Sequence, residues 1–191
     1  MGGYVNNAGV FLVDTLIGLY ILVMVIRFLL QTLRADFYNP VSQFVVTVTN
    51  PPLRFLRRFI PGWGGTDLAA VLFALALSML KTWLIFAMVG RSTSFAGLLV
   101  YGVGELLQLT IYVFIFSILI RVVLSWVAPR GYNPALRLLY DITEPIMEPA
   151  RRLIPPIAAL DISPILVFIL LYLTLMLLVQ PILDTGIALM R

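Results

Sequence analysis

Apolar residues fall along this chain in long blocks, with most charges gathered between them. Four runs approach the ~20 residues that an α-helix needs to cross a bilayer: Leu12–Leu33, Leu68–Val89, Leu106–Val127 and Ile162–Leu183. Each predicts a membrane-spanning helix. A further apolar stretch, Phe95–Gly104, precedes the third run. The combined length exceeds one span, and Gly97, Gly102 and Gly104 weaken a helix there, so this stretch is expected to lie at the interface. The first run follows MGGYVNN, and no Lys or Arg precedes Arg27. A secretory leader needs a basic start, so the run is expected to be a retained span.

The polar blocks repeat. YNPVSQFVVTVTNPPLRFLRRFIP begins at Tyr38, and YNPALRLLYDITEPIMEPARRLIP begins at Tyr132, at an offset of 94 without a gap. The correspondence extends outward: Arg27 meets Arg121, Thr49 meets Thr143, and Asp67 meets Asp161. The chain therefore reads as two tandem units, residues 1–93 and 94–191, each a span, a connector and a span. An even number of spans per unit gives both the same orientation, a parallel duplication. The fold class is all-α: four transmembrane helices from two parallel repeats with amphipathic connectors.

Within each connector, Asn39-Pro40 and Asn133-Pro134 set a capping residue before a first-turn proline, which predicts a helix ending before Pro51 or Pro145. A second short segment follows, with Leu53, Leu56 and Ile60 on one face and Arg54, Arg57 and Arg58 mostly on another. Such a segment lies along a membrane surface. Asp67 and Asp161 are expected to cap the second and fourth spans.

Charge orients the bundle. Eight arginines lie in the two connectors, including the pairs Arg57-Arg58 and Arg151-Arg152, against Arg91 and Arg191 on the other side. The positive-inside rule puts the connectors in the cytoplasm and both termini outside, as expected of a multi-pass protein of the cell inner (plasma) membrane. Composition agrees with a membrane class: 61% of the 191 residues are hydrophobic and 12% charged, against roughly one quarter charged in soluble domains. Cys and His are absent, which removes the usual metal, haem and disulfide chemistry and the histidine base of common nucleophiles. No catalytic, cofactor or metal site is expected. The net charge of +4 sits beside apolar spans, so its expected counterpart is anionic lipid headgroups and not nucleic acid.

The stretch RFLLQTLRADFYNPVSQFVVTVTNPPLRFLRRFIP resembles the YggT/YlmG family of small membrane proteins of bacteria and plastids. In its two-copy members the second motif reads as here, with Tyr132-Asn133-Pro134, Thr143-Glu144-Pro145 and Arg151-Arg152-Leu153-Ile154-Pro155. The resemblance implies links to osmotic-stress resistance, to division or nucleoid organisation, and to membrane-complex assembly. It supplies no catalytic residue. The second copy departs from the first in carrying Asp141, Glu144 and Glu148 for Thr47, Asn50 and Arg54.

Candidate interaction residues are Arg27, Tyr38, Asn39, Pro40, Arg54, Arg57, Arg58 and Asp67, with Arg121, Tyr132, Asn133, Pro134, Arg151, Arg152 and Asp161 in the second unit. The connectors read either as lipid staples or as a binding surface; the repeated Tyr-Asn-Pro favours a partner. Arg27 and Arg121 lie about 9 Å from the inner ends of their spans. They can snorkel to headgroups, or bind connector carbonyls or a lipid phosphate, with a contact to the Tyr-Asn-Pro turn favoured. Lys81 is the deepest charge: it snorkels to the outer interface or pairs with Asp14 or Glu105. The functional expectation is a non-enzymatic scaffold or assembly factor, with a membrane-protein partner or a second copy of itself. The alternative is a small channel or transporter subunit for osmotic adaptation.

Overall fold

The computed structural model describes residues 2–60, 66–127, 133–153 and 161–190. Tyr132 and Pro61–Gly65, a stretch that the sequence reads as a turn with an interfacial tryptophan, Trp63, lie outside these. The elements are α1 (Gly2–Thr32), α2 (Pro40–Leu56), α3 (Leu68–Met88), α4 (Phe95–Val127), α5 (Pro134–Leu153), α6 (Ser163–Thr174) and α7 (Gln180–Leu189), α6 and α7 being joined by a π-helical turn, Leu175–Val179. Among the described residues four helices are long and apolar enough to cross a membrane: Gly3–Thr32, Leu68–Met88, Phe95–Ser125 and the continuous Ser163–Leu189. The protein is a multi-pass membrane protein, and α2 and α5 are its connectors. The π turn sits just before Pro181, whose ring would collide with a carbonyl in a regular helix.

Packing repeats with the sequence. In the first unit Met24 and Leu53 are fully buried with Ala70 and Ala74; in the second the aligned Ile118 and Met147 are buried with Ala150 and Val167. Leu53 and Met147 thus pin each connector helix onto its own pair of spans.

Three expectations are corrected. The first concerns Phe95–Gly104, which is part of one 33-residue helix and not a separate interfacial segment. Its glycines are contact points. A Cβ on Gly186 of α7 would lie 2.6 Å from the Tyr101 nitrogen, and one on Gly97 would lie 2.9 Å from the Met190 nitrogen. Without a hydrophobic drive between lipid-immersed helices, such close backbone approach is a main source of attraction. Ser94 closes the arrangement, accepting from the Gly97 N–H at 3.0 Å and donating to the Leu189 carbonyl at 2.6 Å. It caps the start of α4 and the end of α7 at once.

The second concerns the connector helices, which run through the prolines where they were expected to stop: α2 contains Pro51 and Pro52, and α5 contains Pro145 and Pro149. Pro52 cannot donate to the Val48 carbonyl four residues earlier. The Tyr20 hydroxyl of α1 donates to that carbonyl instead, at 3.3 Å. The third concerns Asp161. Asp67 caps α3, its Oδ1 accepting from the Ala70 N–H at 3.3 Å, but the capping residue of α6 is Ile162. Asp161 stands one residue earlier and accepts from both the N–H and the hydroxyl of Ser163.

Candidate functional site

Both connectors are tied to the spans by the same frame of side chains. Thr49, fully buried on α2, donates to the Val45 carbonyl at 2.6 Å and accepts from Arg27 Nη1 at 2.5 Å. In the second unit Thr143 donates to the Leu139 carbonyl at 2.7 Å and accepts from Arg121 Nη1 at 2.7 Å. A threonine is suited to this: one hydroxyl returns its proton to its own helix and leaves its lone pair for the guanidinium. Arg27 and Arg121 are each 5% exposed. Tyr132 lies outside the described residues, and the bonds of Arg27 run to Val46, Thr49 and Asn50 and not to Tyr38-Asn39-Pro40. The two arginines grip the middle of the connector helices, Arg27 also donating to the Val46 carbonyl at 3.2 Å.

The frame closes on the next span. Arg57 is ion-paired with the buried Asp67, and Arg151 with Asp161 at 3.0 Å. Each connector is thus held by an arginine from the span before it and by its own arginine on the aspartate that starts the span after it. Burial acts to raise the Asp161 carboxyl, but the Ser163 hydrogen bonds and the Arg151 contact outweigh it and hold the group below the usual carboxylate range. Arg54, Arg58 and Arg152 project outward and are exposed, Arg152 pairing with Glu148 at 2.5 Å.

Asn39 and Asn133 both cap their helices, accepting from the Val41 and Ala135 N–H groups at 3.0 Å. Asn39 does more. It is buried, and its Nδ2 donates to the Pro134 carbonyl at 2.6 Å, joining the two connectors. Tyr38 is 89% exposed, and Pro40, Phe44 and Phe55 on α2 are also open to the surroundings.

On the opposite side of the bundle, Lys81 does not snorkel. Its Nζ donates to Glu105 on α4 and lies 3.1 Å from Asp14 Oδ1 on α1, and Ser78 donates to the other Glu105 oxygen. Lys81 and Glu105 are 7% and 8% exposed. The three charges cross-link three spans.

The two units are related by more than sequence pattern. The family model described as CCB3/YggT matches the chain twice, over residues 6–88 and 100–182. An uncharacterized protein of Pseudomonas aeruginosa is 42% identical over 177 residues, covering 92% of this chain and 90% of its own. The uncharacterized protein YggT of Escherichia coli K12 is 37% identical over 166 residues, covering 87% and 86%. The uncharacterized protein ycf19 of Guillardia theta is 40% identical over 60 residues, 31% of this chain and 66% of its own. No solved structure matches significantly. With both repeats matched and relatives aligned over nearly their full length, the chain belongs to the CCB3/YggT family.

Proposed function

We propose that this protein is a non-enzymatic scaffold of the inner membrane, holding its two connectors against the cytoplasmic surface for a membrane-protein partner. The observation that carries the reading is the doubled frame, Arg27–Thr49 with Arg57–Asp67 and Arg121–Thr143 with Arg151–Asp161. It fixes each connector on its spans at its middle and at its C-terminal end. A segment needed only as a loop would gain nothing from buried guanidiniums, whereas a recognition surface gains affinity by being ordered before its partner arrives. The exposed faces fit the role: Phe44, Phe55 and Phe59 with Arg54 and Arg58 on the first connector, and Tyr140, Leu153 and Arg152 on the second. Aromatic residues and arginine are the groups that dominate interface energetics. Inner-membrane placement with connectors inside and termini outside rests on the eight connector arginines. The links of the resembling family to osmotic resistance, division and complex assembly suit a protein that organises others.

The test is photo-crosslinking in cells from Phe44 and Phe55, with Leu178 as a lipid-facing control. A discrete membrane-protein adduct from the connectors, absent from the control, is the expected result. Adducts to lipid alone at both connector positions would refute the scaffold. An ion current through reconstituted protein that Lys81→Met with Glu105→Gln alters, at an unchanged amount of folded protein, would replace it with the channel reading.

A further inference from the structure

The duplication supplies an internal comparison, because the same frame carries different charges in its two copies. In the second unit the Glu144 carboxylate stands between two guanidiniums, with Arg121 Nη2 2.7 Å from Oε2 and Arg151 Nη1 2.6 Å from Oε1. Arg121 is further satisfied by the Tyr140 ring, 3.9 Å below it. Three arginines of this frame, Arg121, Arg151 and Arg152, meet three carboxylates, Glu144, Glu148 and Asp161.

In the first unit the aligned residues are Asn50 for Glu144, Arg54 for Glu148 and Val46 for Tyr140. Asn50 accepts from Arg27 Nη2 at 2.9 Å but brings no charge. The first frame thus carries four arginines, Arg27, Arg54, Arg57 and Arg58, and one carboxylate, with Arg27 and Arg57 at ion-pair distance from it. That carboxylate, Asp67, is engaged by Arg57 and lies 3.7 Å from Arg27 Nε, beyond hydrogen-bond reach. Arg27 Nε is buried and meets Asp67 by charge without a hydrogen bond, as Glu144 Oε2 meets Arg121 in the second unit. Next to these groups are two open cavities of about 700 and 520 Å³ that share Asn50 and Arg57. Arg54 lines one and Arg27 the other.

We infer that the first repeat binds a phosphate group at Asn50, among Arg27, Arg54 and Arg57, where the second repeat places the carboxylate of Glu144. The inference rests on the reading that the connectors lie at the membrane surface. Guanidiniums present paired N–H donors that match phosphate oxygens, and the Asn50 amide nitrogen adds a neutral donor. The height also suits it. Arg27 lies five residues before the end of α1, and Asp67 immediately precedes α3, so the cavities open where span ends meet headgroups. The phosphodiester of an anionic phospholipid reaches this level, and so does free phosphate from the aqueous side.

The full chain in discs of phosphatidylcholine with phosphatidylglycerol, released into a mass spectrometer, tests this. Wild type is expected to retain one phosphatidylglycerol. Asn50→Glu, which copies the second repeat and so keeps a packed frame, should cut retention about tenfold with the melting temperature undiminished. Glu144→Asn combined with Glu148→Arg should add a second retained lipid. Arg152→Gln is the control for diffuse attraction. Equal retention by wild type and Asn50→Glu, or an equal loss with Arg152→Gln, would overturn the site. In phosphatidylcholine-only discs, inorganic phosphate that raises the melting temperature of wild type but not of Asn50→Glu identifies free phosphate as the source. Retention of phosphatidylglycerol without that response identifies the lipid, and the absence of both responses overturns the inference. Lipid retention is independent of protein crosslinking in cells, so the scaffold and this site can fail separately.

Discussion

Replacing Lys81 by methionine distinguishes a paired intramembrane lysine from one that merely passes through lipid. By sequence alone the substitution looks benign: methionine keeps the long stem and removes an insertion penalty of ~2.5–3.5 kcal/mol for a mid-helix charge. The structure reverses the sign. Glu105, 8% exposed, receives Lys81 on one carboxylate oxygen and Ser78 on the other. Deleting the ammonium leaves that carboxylate buried with one neutral donor, a situation that costs about 3–5 kcal/mol. Asp14 cannot make up the loss, being a second acid with a side chain 59% exposed. Unfolding in mixed micelles by a denaturing detergent separates the two contributions, because helices that stay immersed keep the insertion energy on both sides of the equilibrium. Lys81→Met should lose about 3–5 kcal/mol in that assay, Lys81→Met with Glu105→Gln should return to within about 1 kcal/mol of wild type, and Asp14→Asn should cost no more than about 1 kcal/mol. A Lys81→Met loss below about 0.5 kcal/mol, with nothing for Glu105→Gln to rescue, would show that the lysine reaches water without its partners.

Three further outcomes are expected. Gly186→Ala should destabilise by about 1–3 kcal/mol in melting experiments, because its Cβ would meet the Tyr101 backbone at 2.6 Å, while Gly102→Ala should cost less, since its Cβ meets side chains and no backbone, the nearest being the tip of Leu75 at 3.0 Å. Asn39→Ala should lower stability by about 2 kcal/mol and Asn133→Ala by about 1 kcal/mol, the difference being the bond from Asn39 to Pro134 measured by the same melts. The Asp161 carboxyl titrates lower in the folded protein, so its contribution is complete above the unfolded value of about 3.9 and disappears as pH falls through the folded value. The difference in melting temperature between wild type and Asp161→Asn should be constant near neutrality and vanish in acid, and a difference that grows on acidification would contradict the assignment.

The spans could be read from the chain because length and apolarity are what a bilayer demands of a helix, and the duplication could be read because it kept its register at 94 residues. Lys81 could be matched with Asp14 and Glu105 because these were the acids within reach of its depth. Other features depended on partners distant in sequence. Pro52 looks like a helix stop until Tyr20, on another helix, takes the carbonyl it strands. Gly97 and Gly104 look like weak points until α7 is packed against them with its own Gly186. Thr49 and Thr143 held the one available signal for the arginine frame. They are a polar pair preserved at the repeat offset on the buried face of each connector, beside the residues that drew attention by charge.

The repeats also differ in a way that bears on how they divide their work. Asn39 spends its carbonyl oxygen on its own helix and its amide on Pro134, while Asp36 donates its N–H to Asp141 at 3.4 Å. Both contacts run from the first connector to the second, and Asn133 uses its side-chain oxygen on Ala135 and Leu136. The second connector is therefore the one leaned upon. Its charges match that position: Glu144 and Glu148 neutralise their own arginines, so the helix packs without help from an outside anion. The first connector has Asn50 and Arg54 in place of both acids and carries an excess of positive charge beside an open cavity. A duplicated frame whose parts both served only as anchors would have no reason to close one copy and leave the other open. One closed copy that braces an open one is the arrangement expected where a single ligand site has to be held still.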